Sequence, residues 1–136
     1  MAKRTTASGA PARRKSPAKK KVVTFDTVRE ILGALPEVEE ALCYGTPGFR
    51  VKKKFLSRLK EDGDSLVVPV DMLERDMLMD AEPGTFYITD HYRNYPYVLV
   101  RLSKVRRDEL AEMLERAWRA KAPKRVVEQH DERKAS

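Results

Sequence analysis

The sequence predicts an α+β domain in which a mainly antiparallel sheet is covered by helices on one face. Three observations carry that expectation. Segments of helical and strand character follow one another as helix, strands, helix, strands, helix. The strand-like segments are short and divided by turn residues. The last long segment carries one broad apolar stripe at helical spacing. A chain of 136 residues with 41% hydrophobic content suffices for one domain with a modest core, expected as a monomer.

The first helix is read from Phe25, Val28, Ile31, Leu32 and Leu35, which recur at helical spacing behind a candidate N-cap, Thr24; Pro36 closes it and Gly33 weakens its last turn. Residues 38–44, 48–51, 54–59 and 65–70 then have strand character. Their separators, Gly45-Thr46-Pro47, Lys52-Lys53 and Glu61-Asp62-Gly63-Asp64, are turn signals, so an antiparallel meander is expected. Straight alternation through the central pair puts Phe49, Val51, Phe55, Ser57 and Leu59 on one face and Arg50, Lys54, Leu56 and Arg58 on the other.

Asp71 followed by Glu74 is a capping-box-like start for a second helix, with Met72, Leu73, Met77, Leu78 and Ala81 as its apolar face and Glu82-Pro83-Gly84 as its end. Strands over 85–88 and 97–102 flank a polar aromatic loop, 89–96. A last helix over 107–121 presents Leu110, Met113, Leu114, Ala117 and Trp118 as one stripe. Ala122-Pro123 stops it, leaving residues 126–136 as a charged tail.

Charge is distributed unevenly. Lys3, Arg4, Arg13, Arg14, Lys15, Lys19, Lys20 and Lys21 have no acid among them, whereas the remainder carries 20 bases against 21 acids, so the net +7 is +8 from residues 1–21 and −1 from the rest. Residues 1–21 are almost wholly Ala, Ser, Thr, Pro, Lys and Arg, which cannot bury enough surface to offset the entropy of ordering, and a disordered tail is expected. An unpaired cationic segment attracts polyanions through neutralised phosphates and released counterions. No apolar run approaches the roughly 20 residues of a membrane span, and no secretory h-region is present, so an intracellular, cytoplasmic protein is expected. One cysteine, Cys43, and two histidines, His91 and His130, leave no disulfide and no zinc site, and no cofactor is expected.

Several ordered motifs resemble the MmcQ/YjbR family of small bacterial proteins. They are Leu35-Pro36-Glu37-Val38-Glu39-Glu40, Tyr44-Gly45-Thr46-Pro47-Gly48-Phe49-Arg50-Val51, Lys54-Phe55, Thr85-Phe86-Tyr87, His91-Tyr92, Tyr97-Val98-Leu99-Val100-Arg101-Leu102 and Ala122-Pro123-Lys124-Arg125. The resemblance spans about residues 24–125 and implies a frataxin-like (CyaY-like) α+β sandwich. It also implies a DNA-binding label, drawn from a hairpin-rich "double wing", and brings no catalytic residue. Where the family hairpin turns on glycines, this chain has Lys52-Lys53; if the turn needs positive φ, each lysine costs on the order of 1 kcal/mol relative to glycine.

Two sets of residues are therefore candidates for non-specific DNA contact. In the tail they are Arg13, Arg14, Lys15, Lys19, Lys20 and Lys21, around a Ser16-Pro17 step whose proline keeps the backbone extended along phosphates. A solubilising terminus would have the same composition. On the hairpin they are Arg50, Lys52, Lys53, Lys54 and Arg58, a basic wing tip that equally fits a charge-protected strand edge. Arg106 and Arg107 at the start of the last helix oppose its dipole, which suits an external anion or the neighbouring Asp108 and Glu109. His91, Tyr92 and Tyr95 with Asp90 are compatible with acid–base chemistry or base stacking, but no second catalytic partner stands at a recognisable spacing, and a loop histidine bonded to backbone is the expectation. The expectation is a binding protein and not an enzyme, with a protein-interaction or chaperone-like module as the alternative.

Overall fold

In the computed structural model, which describes residues 22–135, the first helix α1 (Phe25–Gly33) starts where Thr24 donates its backbone N–H to Thr27 Oγ1 at 3.1 Å. The basic tail residues Arg13, Arg14, Lys15, Lys19, Lys20 and Lys21 lie outside the described residues. Four strands follow as a meander: β1 (Val38–Cys43), β2 (Thr46–Val51), β3 (Lys54–Leu59) and β4 (Ser65–Pro69). Asp71 caps α2 (Met72–Ala81) by accepting from the backbone N–H groups of Leu73 and Glu74, at 3.1 and 3.3 Å. Then come β5 (Phe86–Tyr87), a 3-10 turn (Asp90–Tyr92), β6 (Tyr97–Arg101), α3 (Arg107–Lys121) and α4 (Lys124–Ala135).

The six strands pair antiparallel in the order β1-β2-β3-β4-β6-β5, because β6 returns between β4 and β5. One face packs on the helices. Val28 and Leu32 of α1 and Leu110, Met113 and Leu114 of α3 meet Phe49, Leu56, Leu66, Val68, Val98 and Val100 of the sheet. Each such side chain, fully buried, stabilises by about 1.5–3 kcal/mol before entropy is counted. This is the expected α+β architecture, with the helices on one side. On the opposite face a smaller cluster gathers Val67, Leu99 and Tyr92 with Phe55, Tyr87, Ile88 and Tyr97. Among the described residues no helix is long and apolar enough to cross a membrane.

Three departures from the sequence expectation bear on function. In β3 the straight alternation fails. Phe49 pairs with Ser57 and Arg50 with Phe55, so Leu56 is an extra residue, and the bulge reverses the facing of what precedes it. Leu56 and Leu59 join the helix-facing core, while Phe55 joins Val67 and Tyr97 on the other side. In α2 the apolar stripe is not the buried one. Leu73 and Met77 are exposed, and Arg75 is buried beside Leu78 and Met79, because its guanidinium must reach three carbonyls of the 89–96 loop. Residues 126–136, expected as a charged tail, fall largely in α4. Val126 packs on Trp118 and Val51, His130 lies edge-on to Trp118 at 5.0 Å, and Arg119 bonds Asp131 at 2.6 and 3.0 Å.

Candidate functional site

The basic hairpin forms, but with four of its five expected cations. Arg50, Lys52, Lys53 and Lys54 are exposed around the β2–β3 turn. Lys52 and Lys53 both have positive φ, 49° and 71°, as a two-residue turn of the primed kind requires. Lys52 Nζ lies 3.6 Å from the Glu37 carboxylate, and no carboxylate among the described residues forms an ion pair with Arg50, Lys53 or Lys54. Side chains that strain their backbone in order to crowd positive charge suit an external anion. Lys53→Gly is accordingly expected to raise stability by about 1 kcal/mol and the melting temperature by about 4–8 °C, which thermal unfolding checks. A lower melting temperature would mean that the turn carries no such strain.

Arg58 leaves the wing. It lies nine-tenths buried on the sheet face opposite the helices. Its Nη1 donates to Thr46 Oγ1 at 3.1 Å and its Nη2 to Tyr92 Oη at 3.3 Å; the Glu61 carboxylate is 3.5 Å away. Gly48, its cross-strand partner, makes room for this path. A Cβ on Gly48 would stand 2.6 Å from the Ser57 carbonyl oxygen, 2.8 Å from Cys43 Sγ and 3.0 Å from Arg58 Cβ.

Around Arg58 lies a cleft of about 520 Å³, lined by Tyr44, Phe55, Glu61, Val67, His91, Tyr92, Tyr95 and Tyr97. Its rings form a continuous series of edge contacts: Tyr44 to Phe55 at 5.9 Å, Phe55 to Tyr97 at 6.0 Å, Tyr97 to Tyr92 at 6.0 Å and Tyr92 to His91 at 4.8 Å. Such pairs each contribute about 0.5–1.5 kcal/mol beyond burial, so the wall is preorganised. Tyr44 belongs to the Tyr44-Gly45 turn between β1 and β2, with φ of 56° and 88°, and the residue is 79% exposed. The guanidinium of Arg58 lies 5.7 Å from that ring's centre, and Lys60 Nζ lies 5.9 Å from that of Tyr92. Burial, with the neighbouring Tyr44 and Tyr92, pushes the Tyr97 phenol above its ordinary pKa of 10, so it remains a neutral hydroxyl at physiological pH.

The far wall is held from behind by Arg75. Its Nη1 donates to the carbonyls of Tyr92 and Tyr95, both at 3.0 Å, and its Nη2 to that of Arg93 at 3.2 Å. Its buried Nε has no hydrogen-bond acceptor among the described residues, and the nearest charge is the Asp76 carboxylate at 3.5 Å. A buried guanidinium spread over three backbone carbonyls fixes the loop that carries His91, Tyr92 and Tyr95.

Other candidates separate from this cleft. Arg106 and Arg107 pair with Asp108 and Glu30, each at 3.4 Å. Asp90 is bound to Arg93 rather than to His91. Cys43 is buried and free, with its sulfur pressed toward Gly48. A groove of about 240 Å³ between α2 and α3 is bridged by the Arg116–Glu74 pair at 2.6 Å. Sequence reasoning singled out His91, Tyr92 and Tyr95 but missed Tyr44, Phe55, Tyr97 and Arg75. The aromatic beside Gly45 in a hairpin turn was the legible signal for Tyr44; the others depend on the bulge and on the loop fold.

Comparison with known proteins places this geometry. A family model described as YjbR matches residues 33–120. An uncharacterised protein of Mycobacterium bovis and one of Mycobacterium tuberculosis are each 31% identical over 122 residues, covering 79% of this chain and 95% of their own length. The crystal structure of Deinococcus radiodurans protein DR2400, described with a DUF419 domain, matches with a TM-score of 0.61 at 24% identity, over 71% of this chain and 77% of that one. That likeness is one of fold.

Proposed function

Since the chain belongs to the YjbR family, whose mycobacterial members lend it no activity, we propose from its own residues that it binds DNA with low sequence specificity. The observation that carries this reading is the β2–β3 turn, where Lys52 and Lys53 hold positive φ beside exposed Arg50 and Lys54. The eight unopposed cations of residues 1–21 add a charge that the remainder, at −1, does not have. In this division of labour the N-terminal segment supplies most of the attraction and the hairpin positions the domain on the phosphates. Neither part resembles a base-reading helix in a major groove, so affinity follows charge rather than sequence. The reading is one of binding and assigns no turnover.

The test is a fluorescence-anisotropy titration of duplex DNA across salt concentrations. If all eight tail cations engage, the full chain gives a slope of log K against log salt near about −7, and deletion of residues 1–21 removes most of it. Replacing Lys52, Lys53 and Lys54 by Gln lowers the slope by about 2–3 further. Affinity that is unchanged by both alterations overturns the reading.

One observation favours a second reading, a protein-interaction module: Leu73 and Met77 of α2 are 70% and 63% exposed, and Met72 beside them is also exposed. Salt-insensitive capture of a partner protein, lost in Leu73→Lys/Met77→Lys and accompanied by no retention on DNA, would replace the first reading with this one.

A further inference from the structure

We propose that the cleft between the Tyr44 turn and the 89–96 loop receives an unpaired nucleobase of a single strand, so that this protein prefers single-stranded over duplex nucleic acid. The inference rests on the nucleic-acid reading above and adds what the cleft selects.

Four features of the cleft point to a planar, hydrogen-bonding occupant. The opening of about 520 Å³ falls within the range of small-ligand sites and is walled mainly by aromatic rings, with Val67 as its one aliphatic side chain. Its rim rings, Tyr44, His91 and Tyr95, are exposed, so a flat group can slide between them and stack. At its floor lies a charged group, Arg58, with five N–H donors in a fixed plane; on Nη1 stand Thr46 Oγ1 at 3.1 Å, the Leu59 carbonyl at 3.5 Å and the Glu61 carboxylate at 3.5 Å, and Tyr92 Oη accepts from Nη2, which leaves Nε and the second Nη2 hydrogen. The remaining donors match the carbonyl and ring-nitrogen acceptors of a base edge, which an aliphatic or purely aromatic occupant would leave unmet.

Placement supplies the rest. Phe55 and Arg58 belong to the same strand as Lys54, and Phe55 pairs across the sheet with Arg50. Arg50 and the cleft rings therefore share one face, the one the helices leave uncovered, whereas Lys54, next to Phe55 and paired with Val51, faces the helix side; a strand whose phosphates meet Arg50 carries its bases toward Phe55 and Tyr44. A duplex cannot do this, because its bases are already stacked and paired. Tyr44 also occupies a left-handed backbone position that Asn or Gly would fill at lower cost. A large exposed aromatic held there against that cost fits a ligand contact.

The experiment compares oligothymidine with a duplex of the same length by anisotropy, using the full chain and the variants Tyr44→Asn and Tyr95→Ala. Tyr44→Asn removes the ring while suiting the turn, so its fold is kept, and thermal unfolding verifies that. Expected are tighter binding of the single strand, by about 10-fold or more, and loss of about 10- to 100-fold of that affinity in each variant with duplex affinity unchanged. Thymidine monophosphate should compete with the single strand at the cleft. Equal affinity for single strand and duplex, indifferent to both variants, overturns the base site and leaves the charge-driven DNA reading standing. Binding of the monophosphate alone, with no response of strand affinity to Tyr44→Asn, overturns it as well. If no nucleic acid binds in dilute salt, both readings fall together.

Discussion

Arg75→Leu is expected to lower the unfolding free energy by about 3 kcal/mol and to release the 89–96 loop. The substitution keeps a long apolar stem in place but leaves the carbonyls of Tyr92, Arg93 and Tyr95 without their shared donor. A buried polar group left unmet costs about 1–3 kcal/mol, and bonds to a charged donor stand at the upper end. Three carbonyls would raise the sum further, but the loop lies at the surface and water reaches part of it, so the total stays near 3 kcal/mol. Chemical denaturation measures the loss. Hydrogen exchange locates it: protection should drop first at Tyr92, Arg93 and Tyr95, ahead of the sheet. Arg75→Lys should recover only a minor part, since one ammonium cannot span three carbonyls in the plane of a guanidinium. A full recovery by lysine would show that charge alone, not the fork, holds the loop.

Gly48→Ala is expected to cost about 2–3 kcal/mol and to displace Arg58. The added methyl carbon meets a main-chain oxygen, that of Ser57, at 2.6 Å, in a strand paired on both sides, so the sheet itself must yield. Cys43→Ala combined with Gly48→Ala removes the 2.8 Å approach to the sulfur but not the one to the carbonyl, so the double variant should regain only part of the loss. Because Arg58 Cβ is also within 3.0 Å, the hydrogen bonds to Thr46 and Tyr92 should weaken together, which the Tyr92 ring resonances report. Stability equal to that of the unaltered chain would mean that Arg58 does not need the glycine.

The elements were legible in the sequence wherever one signal governed. Asp71 announced α2, the stripe from Leu110 to Trp118 announced α3, and the turn residues between strands announced the meander. Facing was legible only where no competing interaction intervened. The bulge at Leu56 leaves no mark in composition, so simple alternation put Phe55 with Phe49 and Leu56 with Arg58, when Phe55 lies with Val67 around the cleft and Leu56 in the helix-facing core; Arg58 keeps its face but is buried there instead of standing on the wing tip. In α2 the Met and Leu spacing pointed to a buried stripe. One buried hydrogen-bonding arginine outweighed it, since a side chain bridging to another loop decides rotation more strongly than a few partly buried methionines. The α4 segment was masked by its charge, although Pro123 before it and Val126 with His130 at a spacing of four were the traces of a helix docking on Trp118.

The candidate site divides in the same way. Cations on a turn are visible in any sequence, and so is an aromatic loop. What could not be read was that the strand carrying the first runs beneath the second. That juxtaposition arises from the β4-β6-β5 order, which brings Tyr97 beside Val67, and from Arg75, which pulls the loop down over them.

The most direct measurement is amide chemical-shift mapping of the full chain titrated with oligothymidine. The account predicts shifts at Tyr44, Gly45, Arg50, Lys52, Lys53, Lys54, Phe55, Arg58, His91 and Tyr95, all at the hairpin turn or around the helix-free face of the sheet, with α3 and α4 silent. Shifts confined to the helices, or a spectrum that does not move at low salt, would contradict it.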